Sequence, residues 1–213
     1  MKSRAAKRRA NSLVTTQKIV AGEHLNPNGV LFGGYLMCWM DEIAYMCARR
    51  YSGKPSCVTV NIDNITFRTP IKLGEHIHLS AWVNHAGKTS MEIEVKVERD
   101  DPRSEKRTHT NSAYLTFVCL NKNFQPSPVP ELILESLEDQ RKNQEARIRA
   151  RVRKRLVRYL GKKFEASEKP PRIRDEAAGK EAPFLRGIVP LRKSARAVGG
   201  WIREHLSHGK DVS

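Results

Sequence analysis

His24–Ala44, HLNPNGVLFGGYLMCWMDEIA, is the stretch whose reading decides the fold. Asn26-Pro27-Asn28-Gly29 is dense in turn formers and reads as a loop. The Gly33-Gly34 pair then opens a segment in which Leu36, Met40, Ile43, Ala44 and Cys47 recur at three- and four-residue steps. Arg49, Arg50 and Gly53 close it, basic side chains near the negative end of the helix dipole and a glycine suited to the cap. The spacing predicts one long helix over 34–51. Asp41 lies inside it, with Met37, Cys38, Ala44 and Tyr45 one turn to either side. Limited hydration there should make its carboxylate a better base, which marks a candidate active site; a merely solvated acid would need a wet flank.

Outward from the helix, the elements on both sides are strands. Leu13–Val20 (LVTTQKIV) is β-branched and reads as a short one. After Gly53 the period changes to two: Val58, Val60 and Ile62 alternate with Thr59, Asn61 and Asp63 in a run that extends to Phe67 before Pro70. Ile77, Leu79, Ala81 and Val83 form another strand, Asn84–Lys88 supply a turn, and Met91, Ile93, Val95 and Val97 return with Glu and Lys between them. Asp100-Asp101-Pro102 ends that strand, and Ser112–Leu120 (SAYLTFVCL) is apolar enough to be central in a sheet. The order is β-α-β-β-β-β. A lone apolar helix before an antiparallel meander can bury its stripe only if a curved sheet wraps around it.

Composition bounds the rest. The chain has 213 residues, 39% of them hydrophobic, which suits one buried core with attachments. Its net charge of +16 is held by the ends: thirteen basic against eleven acidic residues over 11–130, but five against none over 1–10 and twenty-one against twelve over 131–213. The middle therefore needs no polyanion to explain it. Cys38, Cys47, Cys57 and Cys119 lack C-x-x-C spacing and sit in or beside apolar runs, as reduced intracellular thiols do. Neither they nor His76 and His78 have ligand spacing, so no metal site is expected. No apolar run of about 18 residues occurs, and MKSRAAKRRA is not followed by a secretory signal's apolar stretch; a cytoplasmic protein is expected.

The blocks NPNGVLFGG, WMDEIA, VTVNIDNITFRTPIKLGE, GKTSMEIEV and YLTFV, in that order over 13–130, resemble the hotdog-fold acyl-CoA thioesterases. They are most similar to the single-domain bacterial acyl-CoA hydrolases and to each half of the brain-type acyl-CoA hydrolases. The resemblance implies an α+β hotdog fold, one long central helix wrapped by a curved antiparallel sheet, and hydrolysis of acyl-CoA to free acid and CoA. No cofactor is implied, CoA entering only as part of the substrate. Asp41 matches the family's catalytic acid, Gly33 and Gly34 match the start of its helix, and the pattern favours a role for Asn26.

Thioester hydrolysis needs an oriented water, a base and a donor for the oxyanion. Unpaired N–H groups at the helix start can be the donor, with Gly33 and Gly34 admitting a substrate closely. Asp41 is the candidate base, or a nucleophile that forms an anhydride. Eight residues of helix separate Gly33 from Asp41 by about 12 Å, so a carbonyl at one helix entrance is better served by the Asp41 of a second, antiparallel subunit. An obligate homodimer is expected, with a trimer of dimers as a further assembly. Asn26 and Asn28 could orient water or carbonyl through their amides, or simply form the turn. Thr59 and Asn61 share a strand face and could meet the pantetheine arm; Lys88 and Ser90, with Arg68, could meet the CoA phosphates. Glu42 reads as structural. His24 could belong to a hotdog dehydratase, but the local arrangement of such an enzyme is not found.

The ends divide into a basic N-terminal arm over 1–12, a basic amphipathic helix over 131–160 with Ile148, Val152, Leu156 and Tyr159 in register, and a flexible basic tail over 161–213. Trp201, Ile202 and Leu206 suggest a short amphipathic piece in that tail. The helix can pack on the core or a neighbouring subunit, or meet nucleic acid or an anionic membrane surface. A competing reading of the whole chain is a non-catalytic acyl-CoA-binding regulator that uses its basic tails on nucleic acid. No helix-turn-helix precedes the domain to support it.

Overall fold

The structure, a computed structural model, describes residues 4–63, 65, 67, 69–100 and 107–166. The elements in order are β1 (Ala6–Arg8), β2 (Val14–Ile19), α1 (Gly33–Ser52), β3 (Ser56–Ile62), β4 (His76–Ala86), β5 (Ser90–Asp100), β6 (Arg107–Leu120), β7 (Glu131–Ile133) and α2 (Leu137–Ala166). One compact unit ends at Ala146, within α2, and a second begins at Arg147.

Five strands form one antiparallel sheet in the order β2-β4-β5-β6-β3. All five touch α1. Four strand spacings of about 4.8 Å exceed the girth of one helix, so a single helix reaches all five only because the sheet curls around it. This is the hotdog arrangement. Leu36, Met40, Ile43, Ala44, Cys47, Ala48 and Tyr51 of α1 are buried against Ile77, Leu79, Ala81 and Val83 of β4, Ile93, Val95 and Val97 of β5, and Leu115 and Phe117 of β6. Each large side chain so buried stabilises the fold by about 1.5–3 kcal/mol. Gly53, at φ +64°, ends α1 in the left-handed cap its position suggests.

Several boundaries differ from the sequence reading. The arm read over 1–12 is part of the fold from Arg4 onward: β1 pairs in parallel with β7, Arg4 donates to the carbonyls of Gly87 (2.6 Å) and Val129 (3.4 Å), and Lys7 Nζ donates to the Tyr51 carbonyl (2.8 Å). An ammonium at the last carbonyls of α1 is where the helix dipole favours it. The second helix starts at Leu137 rather than Glu131. Ser136 caps it: Ser136 Oγ accepts the Asp139 N–H (3.0 Å), and Asp139 Oδ2 accepts the N–H groups of Glu135 and Ser136 (3.2 and 3.3 Å). Asn84, read as a turn residue, is fully buried in β4 at a register shift; its Nδ2 donates to Glu94 Oε2 (2.8 Å). Glu92 and Glu94, read as alternating outward, are buried too, and Lys142 of α2 pairs with Glu94 (2.7 Å). The strand read through to Phe67 ends at Ile62.

Candidate active site

The entrance of α1 faces a cavity of about 350 Å³, lined among others by Asn26, Gly33, Leu36, Phe67, Ile71 and Asn111. The N–H groups of Tyr35 and Leu36 both reach the Phe32 carbonyl (3.0 and 3.4 Å), so those of Gly33 and Gly34 precede the helix's own ladder and lie at its positive end. Asn26 enters with one end already used. Its Oδ1 accepts the N–H groups of Asn28 (2.9 Å) and Val30 (3.4 Å), the Asx turn that its neighbours predict. What its side chain still offers a ligand is its two amide donors. The turn reading and the site reading therefore hold together.

The space beside the glycines is not open. A Cβ on Gly33 would come within 3.3 Å of the Phe67 ring, and one on Gly34 within 2.5 Å of the Phe32 ring. Both rings are about half exposed and lie across the helix entrance. The glycines thus make room for two aromatic side chains, a role the sequence reading missed. A chain that alternated strictly through to Phe67 would not fold back this way; leaving the sheet after β3 is what lets Phe67 do so.

Asp41 does not line this cavity. It is half-buried on the flank of α1, where Thr59 Oγ1 donates to its Oδ1 at 2.7 Å. A hydrogen bond into a carboxylate holds it in one orientation. Thr59 is therefore a partner of Asp41 within the chain, whereas the sequence reading gave it to the substrate arm. Asn61 does not share its surroundings: the register of β3 shifts between Thr59 and Asn61, and Asn61 Nδ2 donates to Asp63 Oδ1 (2.9 Å). The apolar neighbours of Asp41 are of the expected kind, but Met37 and Tyr45 are 41% and 37% exposed. Val60 and Ile62 of the edge strand β3 are exposed as well, 42% and 44%. Among the described residues nothing covers this flank.

The proposed phosphate contacts are not gathered at the cavity. Lys88 is exposed and Ser90 opens β5, at the hairpin that Arg4 ties down and that lies toward the C-terminal end of α1, away from Gly33. Asn28 is exposed on the turn. Arg68 lies outside the described residues, as do the whole tail from 167 and its Trp201, Ile202 and Leu206.

Other groups near the site are structural. His24 Nδ1 accepts the Ala21 N–H (3.0 Å), and its ring packs edge-on against Tyr35 and Trp39. Glu42 meets Lys18 at 3.6 Å on the surface. Cys57 and Cys119 are directly opposed free thiols across β3 and β6, Sγ to Sγ 2.8 Å, and the hydrogen bond between them draws the Cys57 thiol below its ordinary value. Burial pushes the Cys47 thiol up to about 12. Among the described residues no three His, Cys, Asp or Glu side chains are placed to share a metal ion, and no helix is long and apolar enough to cross a membrane.

Comparison with known proteins agrees with this geometry. The thioesterase superfamily profile matches residues 28–106. The chain is 34% identical over 134 residues to the uncharacterized acyl-CoA thioester hydrolase YkhA of Bacillus subtilis, covering 63% of this chain and 77% of that one. It is 40% identical over 106 residues to protein VdlD of Helicobacter pylori, half of this chain and 60% of the relative's length. An acyl-CoA hydrolase from Staphylococcus aureus, solved in complex with butyryl coenzyme A, coenzyme A and coenzyme A disulfide, superimposes with a TM-score of 0.68 at 30% identity, over 76% of this chain and 99% of that one. That enzyme has also been solved with an aspartate, an asparagine or a threonine replaced by alanine. A hexameric acyl-CoA thioesterase gives a TM-score of 0.68 at 29% identity, over 72% and 97% of the two chains. The chain belongs to the thioesterase superfamily.

Proposed function

We propose that the chain hydrolyses acyl-CoA thioesters to the free acid and CoA as a homodimer, each site combining the α1 entrance of one protomer with Asp41 of the partner subunit. One observation carries this. Among the described residues the cavity that holds Asn26 and Gly33 is lined by no carboxylate, while Asp41 sits about 12 Å further along α1 on a flank whose apolar side chains are exposed. An antiparallel pair of helices with the β3 edges facing would cover Met37, Tyr45, Val60 and Ile62 and bring each Asp41 toward the other chain's entrance.

In that site the thioester carbonyl accepts from the Asn26 amide and from the Gly33 and Gly34 N–H groups, which stabilise the oxyanion. Asp41, steadied by Thr59, either takes the proton of an attacking water or attacks directly, giving an anhydride that water then opens. Neither route calls on a metal or an organic cofactor. Support comes also from spacing: the asparagine and aspartate replaced in the Staphylococcus aureus enzyme are fifteen positions apart, as Asn26 and Asp41 are. Three such dimers would make a hexamer, the assembly of one solved neighbour.

Mixing two inactive variants tests both claims. Asp41→Asn and Asn26→Asp should each lower thiol release from acyl-CoA by about 10²–10⁴-fold; the second keeps the oxygen that holds the turn. Refolded together in equal amounts, they should recover about a quarter of wild-type turnover, because half the dimers are mixed and one of their two sites is intact. No recovery would return the whole site to a single chain. No thiol release by the wild type from acyl-CoAs of any length would overturn the activity itself.

A further inference from the structure

The segment Arg147–Leu160 of α2 is a surface that the hydrolytic site does not use. Ile148, Val152, Leu156 and Tyr159 are 49%, 60%, 54% and 61% exposed. At about 100° per residue they fall within about 80° of arc, one continuous apolar stripe, which Leu160 (40% exposed) extends. Over the same fourteen positions stand seven basic residues and no acidic one. Arg147, Arg151, Lys154, Arg155 and Arg158 are exposed, and most lie on one border of the stripe.

We propose that this helix face lies in the surface of an anionic lipid bilayer, its Ile, Val, Leu and Tyr side chains among the upper acyl segments and its arginines at the phosphates. The charge argues for the occupant. A second copy of this segment would bring seven like charges against seven, whereas an anionic headgroup layer supplies the counter-charge along the full length. The stripe decides between polyanions. A nucleic-acid backbone matches the arginines but leaves four large aliphatic and aromatic side chains in water, since the recognition of phosphates and base edges needs donors and acceptors. A bilayer takes both halves, with arginine stems extending upward while the apolar face sinks. Long acyl chains, the apolar part of an amphiphilic substrate of the proposed class, collect in the same place. That link rests on the hydrolase reading; the binding does not.

Co-sedimentation of the full chain with vesicles tests it, using phosphatidylcholine alone and phosphatidylcholine with about a third phosphatidylglycerol. Binding is expected to the anionic vesicles only and to weaken at least tenfold between 50 and 500 mM salt, roughly as screening predicts. Val152→Ser with Leu156→Ser should weaken it about tenfold or more at low salt with all charges kept, and Arg151→Gln with Arg158→Gln should do so with the stripe kept. Thiol release, read in parallel without vesicles, should be unchanged in both pairs, which separates this surface from the active site. No binding to anionic vesicles at low salt would overturn the proposal. So would equal binding to duplex RNA that the serine pair leaves intact, or a smaller assembly on sedimentation when the stripe is changed, which would assign the face to nucleic acid or to a second copy.

Discussion

In α1 the stripe of Leu36, Met40, Ile43 and Cys47 is sealed beneath five strands, while in the 147–160 part of α2 the stripe of Ile148, Val152, Leu156 and Tyr159 recurs at similar steps and stays about half exposed or more. The period is the same; the flanks are not. Ala44 and Ala48 beside the first stripe have nothing to lose when the sheet closes over them. Arginines beside the second would have to leave water, at a cost that packing does not repay. A hydrophobic period therefore says which face of a helix is apolar, and the residues bordering it say what kind of surface can cover that face.

The comparison can be broken by substitution. Ile43→Ala, in the sealed stripe, should cost about 2–5 kcal/mol in chemical denaturation, through lost burial and the cavity left behind; a loss under 1 kcal/mol would mean that the sheet does not close on α1 as described. The open flank of α1 lies between the extremes. Thr59→Val removes the hydrogen bond to Asp41 and keeps the side-chain shape. It should lower kcat/KM about tenfold, corresponding to a bond to a charged group of about 1.5 kcal/mol, with the denaturation midpoint little changed. Equal losses in stability and in turnover would make Thr59 a packing residue only. The smallest effect belongs to the exposed stripe: Leu156→Ser should change the stability of the isolated protein by less than about 0.5 kcal/mol. A larger loss would mean that the 147–160 part of α2 is held by more than its own hydrogen bonds.

Most of the central fold was legible because period, turn residues and caps agree from Leu13 to Leu120. The elements there match in order, and the α1 boundaries shift by one residue at each end. What escaped were features whose cause lies far away in sequence. Glu92 and Glu94 look like solvent-facing residues until Lys142, nearly fifty positions on, is packed beside Glu94. Strands of three residues such as β1 and β7 carry no periodic signal, and their pairing spans the whole domain. The cap of α2 was local and readable: Ser136-Leu137-Glu138-Asp139 has the form that starts a helix. At the site, residue types pointed to Asp41, Asn26 and the glycines, and the structure places Asn26 and Gly33 in one cavity. It could not be read that Thr59 serves Asp41, because the bulge that separates Thr59 from Asn61 is set by the pairing with β6. Nor could the rings of Phe32 and Phe67 over the helix entrance, since Phe67 reads as a strand residue.

The clip at the amino end has a practical bearing on anyone handling the molecule. Lys7 holds the last turn of α1 while its own strand is zipped to β7, so a pull on β1 is a pull on the far end of the central helix. A purification tag or fluorescent reporter joined close to β1 without a spacer would tug on the rod that carries Asp41, and an assay of such a fusion would measure the handle together with the protein.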